Sequence, residues 1–192
     1  MKLIVGLGNA ESRYDHTRHN VGFDVVRELG KKHGVIWKRE LSRGFQHGYV
    51  KFPTTGVRLI LPLRLMNRSG EALLAAKELW RVGFEDILED ILIVCDDVNL
   101  PVGKLRLRPG GSDGGHHGLA SCLEALGTQE VPRLRIGVGC ESLPKDLTEF
   151  VLSPFTTDEQ RVVDEAGKRA METCEVWAAQ GMQVAMNRIN SN

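Results

Sequence analysis

The sequence predicts an α/β fold: a single three-layer domain in which a twisted mixed β-sheet is flanked by helices. Three observations lead there. Two short runs, Lys2 to Leu7 and Ile91 to Asp97, are almost wholly apolar and end in polar residues, the pattern of central strands covered on both faces. Around them, stretches of strict apolar alternation exchange places with stretches whose apolar residues recur every three or four positions. The chain has 192 residues, enough for one sizeable core, and shows no internal repeat or long linker, so residues 1–192 are expected to form one domain.

KLIVGL at residues 2 to 7 reads as a buried strand feeding a polar loop from Gly8 to His19. Phe23, Val26 and Leu29 mark one face of a helix with Asn20 as its expected N-cap and Gly34 near its end. Gly44 to Phe52 and Val57 to Leu63 are expected to form a hairpin through Pro53-Thr54-Thr55-Gly56. A second helix begins at Ser69, buries Ala72, Leu73, Ala76, Leu79 and Trp80, and closes at Gly83. After the run Ile91 to Asp97, Lys104 to Arg108 alternates, so Lys104, Arg106 and Arg108 share one face and Leu105 and Leu107 the other. A glycine-rich segment follows, then a helix around Leu119 to Leu126 and a strand from Arg133 to Val138. Beyond Thr157 the spacing of Val163, Ala166, Ala170, Trp177 and Ala185 predicts a long terminal helix with a break at Gly181, and Asp158 and Glu159 suit its start.

Formal net charge is zero, so attraction to nucleic acid has to come from local patches. The four cysteines form no CxxC pair and read as reduced, buried thiols. With no charged leader and no apolar run long enough for a bilayer, a cytoplasmic protein without a membrane partner is expected.

If the two apolar strands are parallel neighbours, their C-terminal ends bring Asn9, the His19 loop and the pair Asp96-Asp97 to one sheet edge, where α/β folds place ligands. A histidine at a helix N-terminus is held as a neutral base by the helix dipole, and a carboxylate on its second nitrogen fixes the tautomer. The competing account makes His19 a surface residue, Asp96 a turn cap and Asn67 an ordinary residue entering a helix. Likewise Lys104, Arg106, Arg108, Arg133 and Arg135 read equally well as a solvated face or as a phosphate-binding one. Other motifs fail on inspection. Gly6-Leu7-Gly8-Asn9 starts like a dinucleotide fingerprint, but Glu11 stands at the third glycine. Gly110-Gly111-Ser112-Asp113-Gly114 matches a nucleophile elbow, yet no histidine follows His117. His116 and His117 are adjacent and neither HExxH nor paired CxxC occurs, so no metal site is expected.

Several motifs in register resemble one family. VGLGN, Tyr14 with Thr17-Arg18-His19-Asn20-x-Gly22-Phe23, Met66-Asn67-x-Ser69-Gly70, Asp96 with Leu100-Pro101-x-Gly103, Gly114-x-His116-x-Gly118-Leu119 and Arg133-Leu134-Arg135-Ile136-Gly137 are similar to the bacterial peptidyl-tRNA hydrolases. The resemblance implies a monomeric hydrolase that cleaves the ester between a peptide and the 3′ ribose of tRNA without metal or cofactor. It implies His19 as general base, Asp96 as its orienting acid, and Asn9 and Asn67 as groups holding the peptide near the attack point. Tyr14, Met66, His116 and His117 would line the substrate cleft, Arg108 and Arg135 would grip a tRNA phosphate, and Lys104, Arg106 and Arg133 would assist. Leu147 to Phe155 would form a mobile lid. Ala10, Arg64, Asn99 and His117 depart from the family pattern; His117 takes the place of an asparagine, and a neutral imidazole keeps part of that role by donating or accepting at one nitrogen at a time. The rival expectation is a catalytically silent RNA-binding relative on the same scaffold, which would have no need of the His19 and Asp96 set.

Overall fold

The computed structural model describes residues 1–83 and 88–190. Its strands are β1 (Lys2–Gly6), β2 (Lys38–Glu40), β3 (Phe45–Lys51), β4 (Gly56–Pro62), β5 (Ile91–Pro101), β6 (Leu105–Arg108) and β7 (Arg133–Gly139). They form one seven-stranded sheet in the order β2-β3-β4-β1-β5-β7-β6. β1 pairs in parallel with both β4 and β5, and β5 with β7, whereas β2-β3, β3-β4 and β6-β7 are antiparallel, so the sheet is mixed. The two apolar runs are therefore parallel neighbours, the condition on which the sheet-edge site depended.

Helices α1 (Val21–Lys32), α2 (Ser69–Trp80), α3 (His117–Leu126), α4 (Leu147–Val151), α5 (Thr157–Gln180) and α6 (Met182–Asn190) cover the sheet. Alternation along β1 feeds two cores. Ile4 packs with Val26 of α1, Leu92, Leu134 and Trp177 of α5 on one face, while Leu3 and Val5 pack with Leu73 of α2, Ile93 and Leu119 of α3 on the other. This gives three layers. Among the described residues no helix is long and apolar enough to cross a membrane.

Four local expectations need correction. β2 carries only Lys38, Arg39 and Glu40, with no apolar alternation to announce a strand; it is drawn into the edge by pairing with β3. α2 ends at Trp80 with Arg81 in the left-handed region at φ 52, so the stop lies before Gly83. β5 runs on to Pro101, its pairing with β7 shifting register between Asp97 and Pro101, a bend that apolar composition does not encode. All four cysteines are free, but Cys140, just past the end of β7, is exposed rather than buried. The break at Gly181 is where the sequence placed it, and α5 starts with a capping box between Thr156 and Glu159.

Candidate active site

Chain direction changes at the C-terminal end of β1: α1 lies on one sheet face and leads towards β4, while α2 lies on the other and leads to β5. Such a reversal leaves a crevice beyond the strand ends. The start of α1 is pressed into it. A Cβ on Gly22 would collide with the carbonyl oxygens of Val94 and Leu7, so only glycine lets the helix dock this closely on β1 and β5. Phe23 N–H donates to Leu7 O at 3.0 Å.

His19 precedes this helix in a 3-10 turn, Arg18–Asn20, whose three side chains are all buried. Each neighbour has a task. Asn20 occupies the N-cap position but makes no capping bond. Its carboxamide instead accepts from Asn9 N–H at 2.8 Å and donates to Asn9 O at 3.0 Å, clamping the β1 loop to the helix start. The expected cap is thus a brace between two site segments. Thr17 ties back to Tyr14 O at 2.7 Å, and Arg18 reaches away to Glu159 at 2.7 Å and Val138 O at 3.2 Å.

His19 Nδ1 lies 2.8 Å from Asp96 Oδ1, which leaves Nε2 as the nitrogen available to the cavity. The Asp96 side chain is 3% exposed. A second imidazole meets the same oxygen: His116 Nε2 is 2.9 Å from Asp96 Oδ1. His116 Nδ1 accepts the Leu119 N–H at 3.1 Å, so that nitrogen carries no proton and Nε2 is the donor to Asp96. Burial acts most strongly on the Asp96 carboxyl and would raise its pKa, but the two histidines together outweigh it and hold the group well below the usual carboxylate range. The sequence placed His116 in the cleft but carried no sign of this bond, because His116 and Asp96 meet only through the fold. His19, Asp96 and His116 also present three ligand atoms within 4.8 Å of one another, a grouping that chain spacing did not suggest. Here both histidine nitrogens are taken up by the one Asp96 oxygen.

The crevice is a cavity of about 460 Å³ lined by Asn9, Tyr14, His19, Met66, Asn67, Asp96, His116, His117 and Arg135 among others. Asn67 sits in the 3-10 turn Met66–Arg68 before α2. Leu147, Val151 and Leu152 from α4 and its exit add apolar lining, with Thr148 beside them. Arg106 lies across the β6-β7 ladder from Arg135, and Arg108 across from Arg133; Lys104, Arg106 and Arg108 are exposed. Arg133 departs from expectation. It is 2% exposed and donates to the carbonyls of Val131, Gly111, Ser112 and Gln129, so it pins the glycine-rich segment and has no surface to offer RNA. Alternation put it on the right face, but the loop that covers it is invisible to a periodicity reading.

Residues 3–192 match the family model described as peptidyl-tRNA hydrolase. Among curated relatives, the peptidyl-tRNA hydrolase of Chlorobaculum tepidum is 40% identical over 190 residues, spanning 99% of this chain and 98% of that protein. That of Geobacillus kaustophilus is 41% identical over 175 residues, 91% of each. Among solved structures, peptidyl-tRNA hydrolase from Acinetobacter baumannii superposes with a TM-score of 0.90 at 34% identity, covering 100% of this chain and 95% of that one. With fold, site geometry and relatives in agreement over nearly its whole length, the chain belongs to the peptidyl-tRNA hydrolase family.

Proposed function

We propose that this chain hydrolyses the ester joining a peptide to the 3′ ribose of tRNA, with His19 as the general base. His19 Nε2 takes a proton from water, the water oxygen attacks the ester carbonyl, and the proton passes to the departing ribose oxygen, leaving a ribose hydroxyl and a peptide carboxylic acid that releases water's second proton to solvent. Asp96, on Nδ1, fixes the tautomer and steadies the cation formed in the first step. Asn9 and Asn67 hold the peptide beside the ring, with Tyr14, Met66, His116 and His117 around the acyl part. The ester has a good leaving group, so a positioned water and a few carbonyl donors suffice without a covalent nucleophile. Arg135, Arg106 and Arg108, with Lys104, make a basic strip from the edge strand to the cavity and receive the RNA phosphates.

The observation that supports this reading most is the 2.8 Å contact between His19 and a buried, ionised Asp96 on the floor of an open cavity. On the same reading the chain acts as a monomer in the cytoplasm, as one domain and without metal or cofactor, since every proposed role is filled from within a single copy. The catalytically silent alternative has no support among the relatives, which are named as hydrolases. Incubation with an N-acetyl-aminoacyl-tRNA tests the proposal: release of the acyl group, abolished in His19→Ala, is expected. Tight binding of the tRNA with no release would overturn it.

A further inference from the structure

Arg135 enters the cavity from β7 and meets Asp97, its Nη2 3.0 Å from Asp97 Oδ2. Arg135 pairs with Cys95 in the parallel ladder, and Asp97 lies two residues beyond Cys95, so both side chains leave the sheet on the same face. Asp97 is 3% exposed at its side chain and Arg135 23%. The pair is close yet off the hydrogen-bond axis: Oδ2 is a buried oxygen that accepts no hydrogen bond, while Oδ1 takes Asn99 N–H at 2.9 Å. Among the described residues the Arg135 guanidinium has no other ion pair and donates no hydrogen bond. Gly114, at φ 62, closes on the guanidinium from the glycine-rich loop; a Cβ there would lie 2.8 Å from Nη2. The fork is thus held by charge from behind and by backbone at its flank, with its N–H groups unspent.

From this arrangement we infer that Asp97 is a positioning residue for the RNA half of the substrate: it fixes Arg135 at the cavity so that the guanidinium fork meets a tRNA phosphate in register with the ester at His19. The inference rests on the hydrolase reading above. Neighbouring residues on a strand point to opposite faces. Asp96 accordingly serves His19 from α1's side, and Asp97 serves Arg135 on the side of α3. One strand end therefore sets the distance between the water-activating ring and the phosphate fork. A guanidinium fixed before binding loses less rotamer freedom on meeting a phosphate, and its planar fork suits two phosphate oxygens at once.

The test compares kcat/KM on full N-acetyl-aminoacyl-tRNA with kcat/KM on the same acyl group esterified to a short 3′-terminal oligonucleotide. Asp97→Asn is expected to lower the value on the full tRNA about 10- to 100-fold, chiefly through KM, and to leave the short ester within about twofold. Arg135→Gln should lose the same discrimination, and the double variant should be no worse than Arg135→Gln. Arg135→Lys, which leaves Asp97 paired with a cation but removes the fork, should also lose it, and if Asp97→Asn fails to fold, Asp97→Ser takes its place in both comparisons with the same expected and overturning results. An equal loss on both substrates for Asp97→Asn, or additive losses in the double variant, would overturn the positioning role alone. If Arg135→Gln treated both substrates alike, the phosphate reading of Arg135 would fall and the proposal with it. Hydrolysis of the short ester by the unaltered enzyme reports separately on the hydrolase reading.

Discussion

At His19 a single contact decides which nitrogen is free. Asp96 holds Nδ1, so Nε2 is left to the cavity and, on the proposed reading, is the nitrogen that takes the proton from water. Replacing His19 by Ala is expected to lower kcat about 10²- to 10⁴-fold, the usual range for losing a general base, with the thermal unfolding midpoint little changed. Asp96→Asn should cost about 10²-fold or more in the same assay, since an amide cannot balance the imidazolium formed in the first step. His116→Ala removes one N–H from Asp96 but leaves the base in place, so a smaller loss, about tenfold, is expected. The sheet-edge argument pointed to Asn9, His19 and Asp96, and Asn67 entered only through the family resemblance. That His116 shares the acid oxygen with His19 was not legible, because the two imidazoles come from opposite layers and meet only at the sheet edge.

Among the elements, the turn that presents His19 is tied to the segment that walls the cavity. Arg18 accounts for this: its backbone N–H donates to Ser153 O, its Nη2 pairs with Glu159, and its guanidinium lies 4.5 Å from the Phe150 ring and 4.7 Å from that of Phe155. Glu159 also completes the capping box of α5. Arg18→Ala should therefore destabilise the protein by about 1–3 kcal/mol in urea unfolding, by removing the cation from Glu159 and opening space between two rings. Hydrogen bonding from Arg18, the largest influence, lowers the Glu159 pKa from its ordinary 4.5. The stability from this pair is then fully present above pH 4.5 and lost as pH falls through the lowered folded value, and Arg18→Ala should flatten that acid limb. Asp24 in α1 runs the other way: burial, the main cause, raises its pKa from 3.8 to about 6. Its folded form favours the proton, so stability falls as pH rises from about 3.8 to 6. Asp24→Asn should raise stability at pH 7 by about 1–2 kcal/mol and remove that slope. The hairpin and the helices other than the short α4 were legible from periodicity and turn residues, and both central strands from their unbroken apolar runs. The Arg18 tether was not, since it joins residues 141 positions apart in the chain.

For the whole molecule, zero net charge means that binding RNA depends on where the cations sit. The strip formed by Arg106, Arg108 and Arg135 lies on one sheet face beside the cavity, with much of the compensating acid elsewhere, as in the first turn of α5. A plot of log kcat/KM for peptidyl-tRNA against log salt is expected to fall linearly, and Arg106→Gln or Arg108→Gln should each reduce its slope by about 0.7 to 0.9. Arg133→Gln should leave the slope unchanged and instead lower stability, because that side chain is spent on four backbone carbonyls.

The sequence by itself determined the three-layer α/β class, the two apolar central strands, the helix that starts beside His19, and the candidate residues for activating water, because periodicity and residue chemistry act locally. Only the tertiary structure decided that His116 joins His19 on Asp96, that Asn20 braces Asn9 instead of capping a helix, and that Arg133 is buried while Arg135 faces the cavity with Asp97 behind it. Those outcomes depend on which layer covers which face, and a one-dimensional pattern carries the face of each residue but not what comes to lie on top of it.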